Sequence, residues 1–298
     1  MSKNKTKIDN SEHVLSLQDT SCRDVYFNSN NKENISLDRN YYRYSCNCYK
    51  QNNYFENVFK KNKNEKIQFY VIHAKAEQCP EILPQRFFNE HINDNDNNSI
   101  FEILQIPQVD NIDSLKIKTL YQIFSFFNEE LPKEACLESL FNSKTLQKKK
   151  YITINFIVES RQWEIIHEFI EFFINDFCKN QIKKTKLRFI FFWSIIYTSE
   201  IKDNSFFSLD SFRETKKDKI QKCIKNLEFD VLPEIQIINL DDIRTWIKSI
   251  ELGSKINISL FNILNKEFSL TNKKEFTMEE VLEMFDFLSE KYNILNNE

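Results

Sequence analysis

One residue type is all but missing. Gly253 is the single glycine among 298 residues. A loop that cradles a phosphate needs positive backbone angles and a close approach of backbone N–H groups to the anion. Only glycine supplies both without strain. The Walker A loop needs two glycines and the dinucleotide-binding fingerprint needs three, so neither motif is present. The rest of the chain nevertheless reads as the kind of α/β protein that carries such a loop.

Residues 67–73, 101–106, 151–158, 187–198 and 233–240 are apolar runs rich in β-branched and aromatic residues. Such runs suit strands buried on both faces. Amphipathic stretches separate them. A short helix carries Tyr54, Phe55, Val58 and Phe59. A second opens at Pro80 and runs to residue 92. A third covers 114–131, capped by Asp113 and stopped by Pro132. Further helices are expected over 163–177 and 218–227, and from Asp241 and Asp242 to an end at Gly253. Thr277 and Glu280 form a Thr-x-x-Glu capping box that opens a last helix through Tyr292. This alternation predicts a three-layer α/β fold: a mostly parallel five-stranded sheet with additional C-terminal helices. Asn-, Ser- and Lys-rich residues 1–45 read as a polar, flexible extension, and residues 46–298 as one domain.

Composition narrows the function. The 28 phenylalanines require a core. A formal charge of −3, from 41 basic and 44 acidic residues, makes neither nucleic acid nor an anionic membrane the expected partner. Seven cysteines, odd in number and scattered, argue against a disulfide framework. The polar N-terminus has no apolar signal core, and the longest apolar stretch, 189–197, is far short of the roughly 20 residues that span a bilayer. A cytoplasmic protein is expected. The abundance of Asn, Lys, Ile and Phe suggests an AT-rich bacterial genome.

Ligands of parallel sheets bind at the carboxyl ends of the strands. Two residues there are candidates for a vestigial nucleotide loop. Lys75 follows the first strand, and Glu159 follows the third, where a metal-binding carboxylate would fall. The plain alternative is a structural turn bearing a lysine, and a glutamate paired with Arg161. Cys46 and Cys48 resemble half a metal site, but no second pair stands at zinc-ligand spacing. Cys79 with His73 or His167 lacks any local nucleophile signature. No catalytic residue, cofactor, metal or small-molecule substrate is therefore assigned. Lysine-rich runs at 60–63, 148–150 and 183–188 each precede a predicted strand, and so share one end of a parallel sheet. They suit either a phosphate backbone or the role of solvated gatekeepers beside apolar strands, and the negative net charge favours the second.

Five segments carry a resemblance. They are Asn47-Cys-Tyr-Lys-Gln-Asn52 and Phe69-Tyr-Val-Ile-His-Ala-Lys-Ala-Glu-Gln-Cys-Pro80 with Gln85-Arg86-Phe87. The others are residues 151–158 with Trp163, residues 186–197, and residues 232–246 ending in Trp246. Together they resemble the inactive STAND domains of bacterial conflict systems, relatives of the STAND branch of AAA+-like P-loop NTPases that have lost the nucleotide-binding motifs. Related domains often retain a glycine where this chain has Ala74. The resemblance implies a P-loop NTPase-like fold without activity. It implies a scaffold or signal-transducing module in conflict or antiphage defence, working with an effector or adaptor protein encoded nearby. Residues 1–45 are too short and polar for an effector enzyme, which would be a separate chain. Two other classes remain open: a degenerate NTPase or other hydrolase using Lys75, Glu159 or Asp241, and a nucleic-acid-binding module using the lysine rim.

Overall fold

A computed structural model describes residue 46 and residues 48–93, 98–179, 185–198, 216–227, 229–249, 266–271 and 273–292. They belong to a unit spanning Leu37–Glu298. A first unit, Met1–Ser36, lies outside the described residues, as do the predicted 1–45 extension and the helix end at Gly253.

Helix α1 (Tyr49–Lys61) leads into strand β1 (Ile67–Lys75). Helix α2 (Leu83–Phe87), strand β2 (Ser99–Gln105), and helices α3 (Ile112–Phe126) and α4 (Leu137–Phe141) follow. Then come β3 (Tyr151–Glu159), α5 (Trp163–Phe172), β4 (Arg188–Tyr197), α6 (Lys216–Asn226) and β5 (Asp230–Val231). The main sheet has the order β2-β3-β4-β1-β5, and every pairing is parallel. Strands β6 (Ile238–Asn239) and β7 (Glu275–Phe276) pair antiparallel in a separate ribbon, beside α7 (Leu240–Ser249) and α8 (Met278–Tyr292).

Strand order and handedness assign the layers. From β2 through β3 and β4 to β5 the chain moves one way across the sheet, whereas β1 to β2 moves the other way. Right-handed crossovers then put α3 to α6 on one face and α2 on the opposite face. The aromatic contacts of β4 agree. Phe191 and Trp193 meet Phe173, which extends α5, and Trp193 also meets Phe169 of α5. Phe192, between them, meets Phe55 of α1 and Phe87 of α2. A period of two in one strand thus feeds two cores.

Three expectations change in detail. The helix predicted from Pro80 to residue 92 is broken into a 3₁₀ turn (Pro80–Ile82), the short α2 and a π turn (Phe88–Ile92). Pro84 has no N–H to donate to the Pro80 carbonyl four residues earlier, so the first α-helical bond of a helix starting at Pro80 cannot form. The cap of α3 is Asn111, whose side chain accepts from Ser114 N at 2.8 Å, and not Asp113. The fifth strand of the sheet is Asp230–Val231, and not 233–240. Pro233 lacks a ladder donor, and beyond Leu232 N, which donates to Val71 O at 2.9 Å, the segment leaves the sheet. The capping box is present as expected: Glu280 N donates to Thr277 Oγ1 at 3.2 Å, and Thr277 N donates to Glu280 Oε2 at 2.9 Å.

Scarcity of glycine shows where helices must end. Helix α3 closes with Asn128 at φ 55°. Asn128 N donates to Ser125 O at 3.1 Å and Glu129 N to Phe124 O at 3.0 Å, the paired bonds of a Schellman cap. Asparagine tolerates this left-handed position better than other residues with a Cβ, but less well than glycine. Asn128→Gly is expected to raise stability by about 0.5 kcal/mol, and Asn128→Val to lower it by about 1–2 kcal/mol, in urea denaturation followed by circular dichroism.

Candidate functional site

The place for a phosphate loop is the turn after β1. Here the chain makes a 3₁₀ turn (Ala76–Gln78), passes through Cys79 at φ 46° and ψ 56°, and makes a second 3₁₀ turn before α2. Cys79 takes the left-handed conformation that a glycine would adopt freely, at a cost of about 1–2 kcal/mol. Two backbone donors of the turn are spent and two positions have none. Cys79 N donates to Ala76 O at 3.0 Å and Ile82 N to Cys79 O at 3.3 Å. Pro80 and Pro84 have no N–H.

The same turn is fastened to the sheet. Asn155 Nδ2, on β3, donates to Glu81 O at 2.9 Å, and Ser194 Oγ, on β4, donates to Asn155 Oδ1 at 2.8 Å. Gln78, Pro80, Glu81, Ile82 and Leu83 are all buried. A small cleft of about 10 Å³ remains, lined by Cys48, Gln78, Cys79, Ile82, Leu83, Ile235 and Met278. That is room for about one water and far below the roughly 300–1,000 Å³ of ordinary ligand pockets. Its walls are mainly aliphatic and thiol, and burial pushes the Cys48 thiol up to about 11, so it presents no cation to an anionic ligand. Among the described residues, no group of three or more His, Cys, Asp or Glu side chains is placed to hold a metal ion.

Lys75 and Glu159 do reach the carboxyl edge, but the register separates them. Lys75 pairs with Tyr197 of β4, and Glu159 pairs with Ile196. Parallel partners share a face and neighbours alternate, so the two side chains leave opposite faces of the sheet. Lys75 is exposed. Glu159 is 7% exposed and ion-paired with Arg161 at 2.5 Å. Asp241 sits at the start of α7, paired with Arg244 at 2.9 Å. The three do not converge on one cleft.

A polar cluster that sequence reading did not single out lies at the ends of β1 and β4. Tyr197 Oη and His73 Nδ1 are 3.2 Å apart and both side chains are buried. Lys217 of α6 pairs with Glu234 at 2.5 Å, Gln221 Nε2 donates to Glu234 Oε2 at 3.2 Å, and Lys217 Nζ lies 5.3 Å from the Tyr197 ring centroid. Ile235 N donates to His73 O at 3.4 Å. The cluster ties α6 and the segment after β5 onto the carboxyl edge. It contains no activated nucleophile. Its members come from four separated segments, so only the strand order, which a single sequence does not display, brings them together.

The fold and its closed turn define an α/β protein of NTPase-like layering without a phosphate cradle. The profile of the family described as inactive STAND matches residues 43–195. The chain belongs to that family. No curated protein matches the sequence. Among solved structures, the chain is similar to the ORC2 protein of Aeropyrum pernix in its ADPNP–ADP complexes, at 8% identity and a TM-score of 0.47, over 83% of this chain and 63% of that one. It is also similar to a lysine-to-arginine mutant of Thermotoga maritima RuvB, at 9% identity and a TM-score of 0.33, over 80% and 68% of the two chains. A third likeness is to Saccharomyces cerevisiae Rif2, at 14% identity and a TM-score of 0.30, over 77% of each chain. This chain thus spans less than two thirds of the ORC2 length.

Burial sets the titration of the edge cluster. Desolvation lowers the His73 pKa below its ordinary 6.5, against the attraction of Glu234, and Lys217 acts in the same direction as burial. Desolvation also lowers the pKa of His91. The folded chain then holds fewer protons on these rings than the unfolded chain, so their contribution is complete above about pH 6.5 and is lost as pH falls toward the lowered folded values. His73→Gln is expected to flatten part of the decline in unfolding free energy between about pH 7 and 5, measured by urea denaturation at each pH. An unchanged slope would remove His73 from this account.

Proposed function

We propose that the chain is a non-catalytic, NTPase-like scaffold that transmits signals through protein contacts in a bacterial conflict or antiphage defence system, in the cytoplasm. Its partner is an effector or adaptor protein encoded nearby. The observation that carries the reading is the turn after β1. Cys79 holds the left-handed position, Pro80 and Pro84 carry no amide donors, and the Asn155 side chain holds the turn against the sheet. Family membership supports the loss of activity. Among the described residues no helix is long and apolar enough to cross a membrane.

A three-layer fold stripped of its ligand still offers rigid edges and helical faces for a partner. Its ground state no longer depends on a bound nucleotide, so any switching must come from protein contacts. Titration calorimetry is expected to show no heat of binding with magnesium and about 1 mM ATP, and ATP at that level is expected not to shift the melting temperature. Saturable, magnesium-dependent binding would overturn the reading. In a phage-challenge assay with the neighbouring genes, deleting this chain is expected to abolish protection, while Lys75→Ala with Glu159→Gln leaves protection intact. Loss of protection in that double variant, with its fold retained, would restore the nucleotide-dependent alternative.

A further inference from the structure

The sheet has two lateral borders, and the chain treats them differently. At one border β5 contributes only Asp230 and Val231, and Pro233 follows. So short a strand, ended by a proline, leaves little to pair with. At the other border β2 runs for seven residues, Ser99-Ile-Phe-Glu-Ile-Leu-Gln105. Its register with β3 is unbroken from Ser99–Tyr151 to Gln105–Ile157, so no bulge turns it aside. It holds no lysine or proline, the usual guards of an outer strand.

Alternation along the ladder sets which backbone groups are left over. Ile106 N donates to Ile157 O at 3.1 Å. By the period of two, Ile100, Glu102 and Leu104 also turn N–H and C=O toward β3, whereas Phe101, Ile103 and Gln105 turn theirs outward. Among the described residues no group bonds to those outward donors and acceptors. Apolar side chains flank them on both faces. Phe101 meets Phe88 on the α2 face, with ring centroids 5.3 Å apart. Leu104 belongs to the core that α3 to α6 close, so Glu102, two residues away, lies on that face too. Ile100, Phe101 and Ile103 are half-buried.

Glu102 identifies the occupant. It is the one charged residue of β2 and sits near the middle of the strand. It is half-buried, and desolvation pushes its carboxyl pKa above the ordinary value. Among the described residues no basic side chain pairs with it. A second copy of β2 does not supply the missing cation. Two copies related by a two-fold axis pair antiparallel, with outward residues opposite outward residues. Within β2, Glu102 then faces Ile100, Leu104 or its own counterpart. The first two leave a carboxylate unpaired, and like charges directly opposite destabilise a sheet. A foreign strand with a lysine or arginine at that place completes both the ladder and the charge.

We propose that β2 receives an extended segment of a partner protein as an added strand, with apolar residues alternating along it and a lysine or arginine opposite Glu102. Main-chain bonds to Phe101, Ile103 and Gln105 supply the affinity, and the charge pair sets the register. The proposal rests on the reading of the chain as a scaffold acting through protein contacts, and it names the chemistry of one contact. Nucleotide titration tests that reading, whereas strand addition is read at β2 alone, so either can fail without the other.

The test is residue-resolved amide hydrogen exchange, by NMR, on the full chain. In the free chain the amides of Ile100, Glu102 and Leu104 are expected to be protected, and those of Phe101, Ile103 and Gln105 to exchange fast. The probe is a synthetic peptide of about nine residues, valine and threonine alternating around a central lysine, N-methylated along one edge so that it cannot pair with itself. At about 1 mM it is expected to slow exchange at the outward amides about tenfold, as a dissociation constant near 0.1 mM gives. A peptide with a central glutamate is expected to bind about two- to fivefold more weakly, and Glu102→Lys to reverse that preference. Ile103→Pro is tolerated where an N–H faces outward, and it is expected to abolish the protection of Phe101 and Gln105 while the chain keeps its cooperative melt. The Glu102→Lys arm decides the matter even where Ile103→Pro fails to fold. No slowing at about 1 mM peptide overturns the proposal, as does equal slowing by the lysine and glutamate peptides. Protection of the outward amides in the free chain overturns it too. If independent of concentration, that protection means the chain covers this border itself; if it rises with concentration, a second copy does.

Discussion

Strand β4 is buried on both faces, and the other layers are arranged by what its alternate side chains demand. Phe189, Phe191 and Trp193 belong to the core that α3 to α6 close. Phe192 and Ser194 face the other way, toward α1 and the turn after β1. Burying one aromatic side chain is worth about 1.5–3 kcal/mol, and the two cores draw on one ten-residue strand. The placement of Ser194 is therefore not independent of the packing. With Trp193 in one core, Ser194 must face the other, where it holds Asn155 and Asn155 holds the turn. The hydrophobic register of β4 thus fixes the polar thread that closes the ligand end.

Much of this was legible in the residues. The apolar runs at 67–73, 151–158 and 187–198 lie on observed strands because a doubly buried strand has few alternatives in composition. The capping box at Thr277 and Glu280 was legible because it is local chemistry. The scarcity of glycine announced the missing cradle. Less legible was everything set by pairing order. The short β5 carries only Asp230–Val231, too little to signal a strand, while the more apolar 233–240 drew attention and lies mostly outside the sheet. The His73–Tyr197–Glu234 cluster depends on β1 and β4 being neighbours, which no spacing in the chain reveals. Lys75 and Glu159 each suited a strand end, yet one residue of register sends them to opposite faces.

The two edges of the sheet contrast in physical terms. At the carboxyl edge, polar side chains pair across elements: His73 with Tyr197, Lys217 with Glu234, Glu159 with Arg161, while Gln78 Oε1 in the turn after β1 has no hydrogen-bond partner among the described residues. At the amino edge, the buried Arg188 Nε has no hydrogen-bond partner among the described residues. Paired networks of this kind rigidify the elements they join.

The turn after β1 also bears on what phosphate binding at this place would require. A glycine in place of Cys79 would relieve the left-handed backbone and nothing more. The amides absent at Pro80 and Pro84 would still be absent, and the Glu81 carbonyl would still be held by Asn155. Each single change toward a working cradle meets a turn that the remaining residues keep shut. Such a turn acts as a multiple lock: phosphate binding here would need several substitutions at once, because each leaves the other obstacles in place.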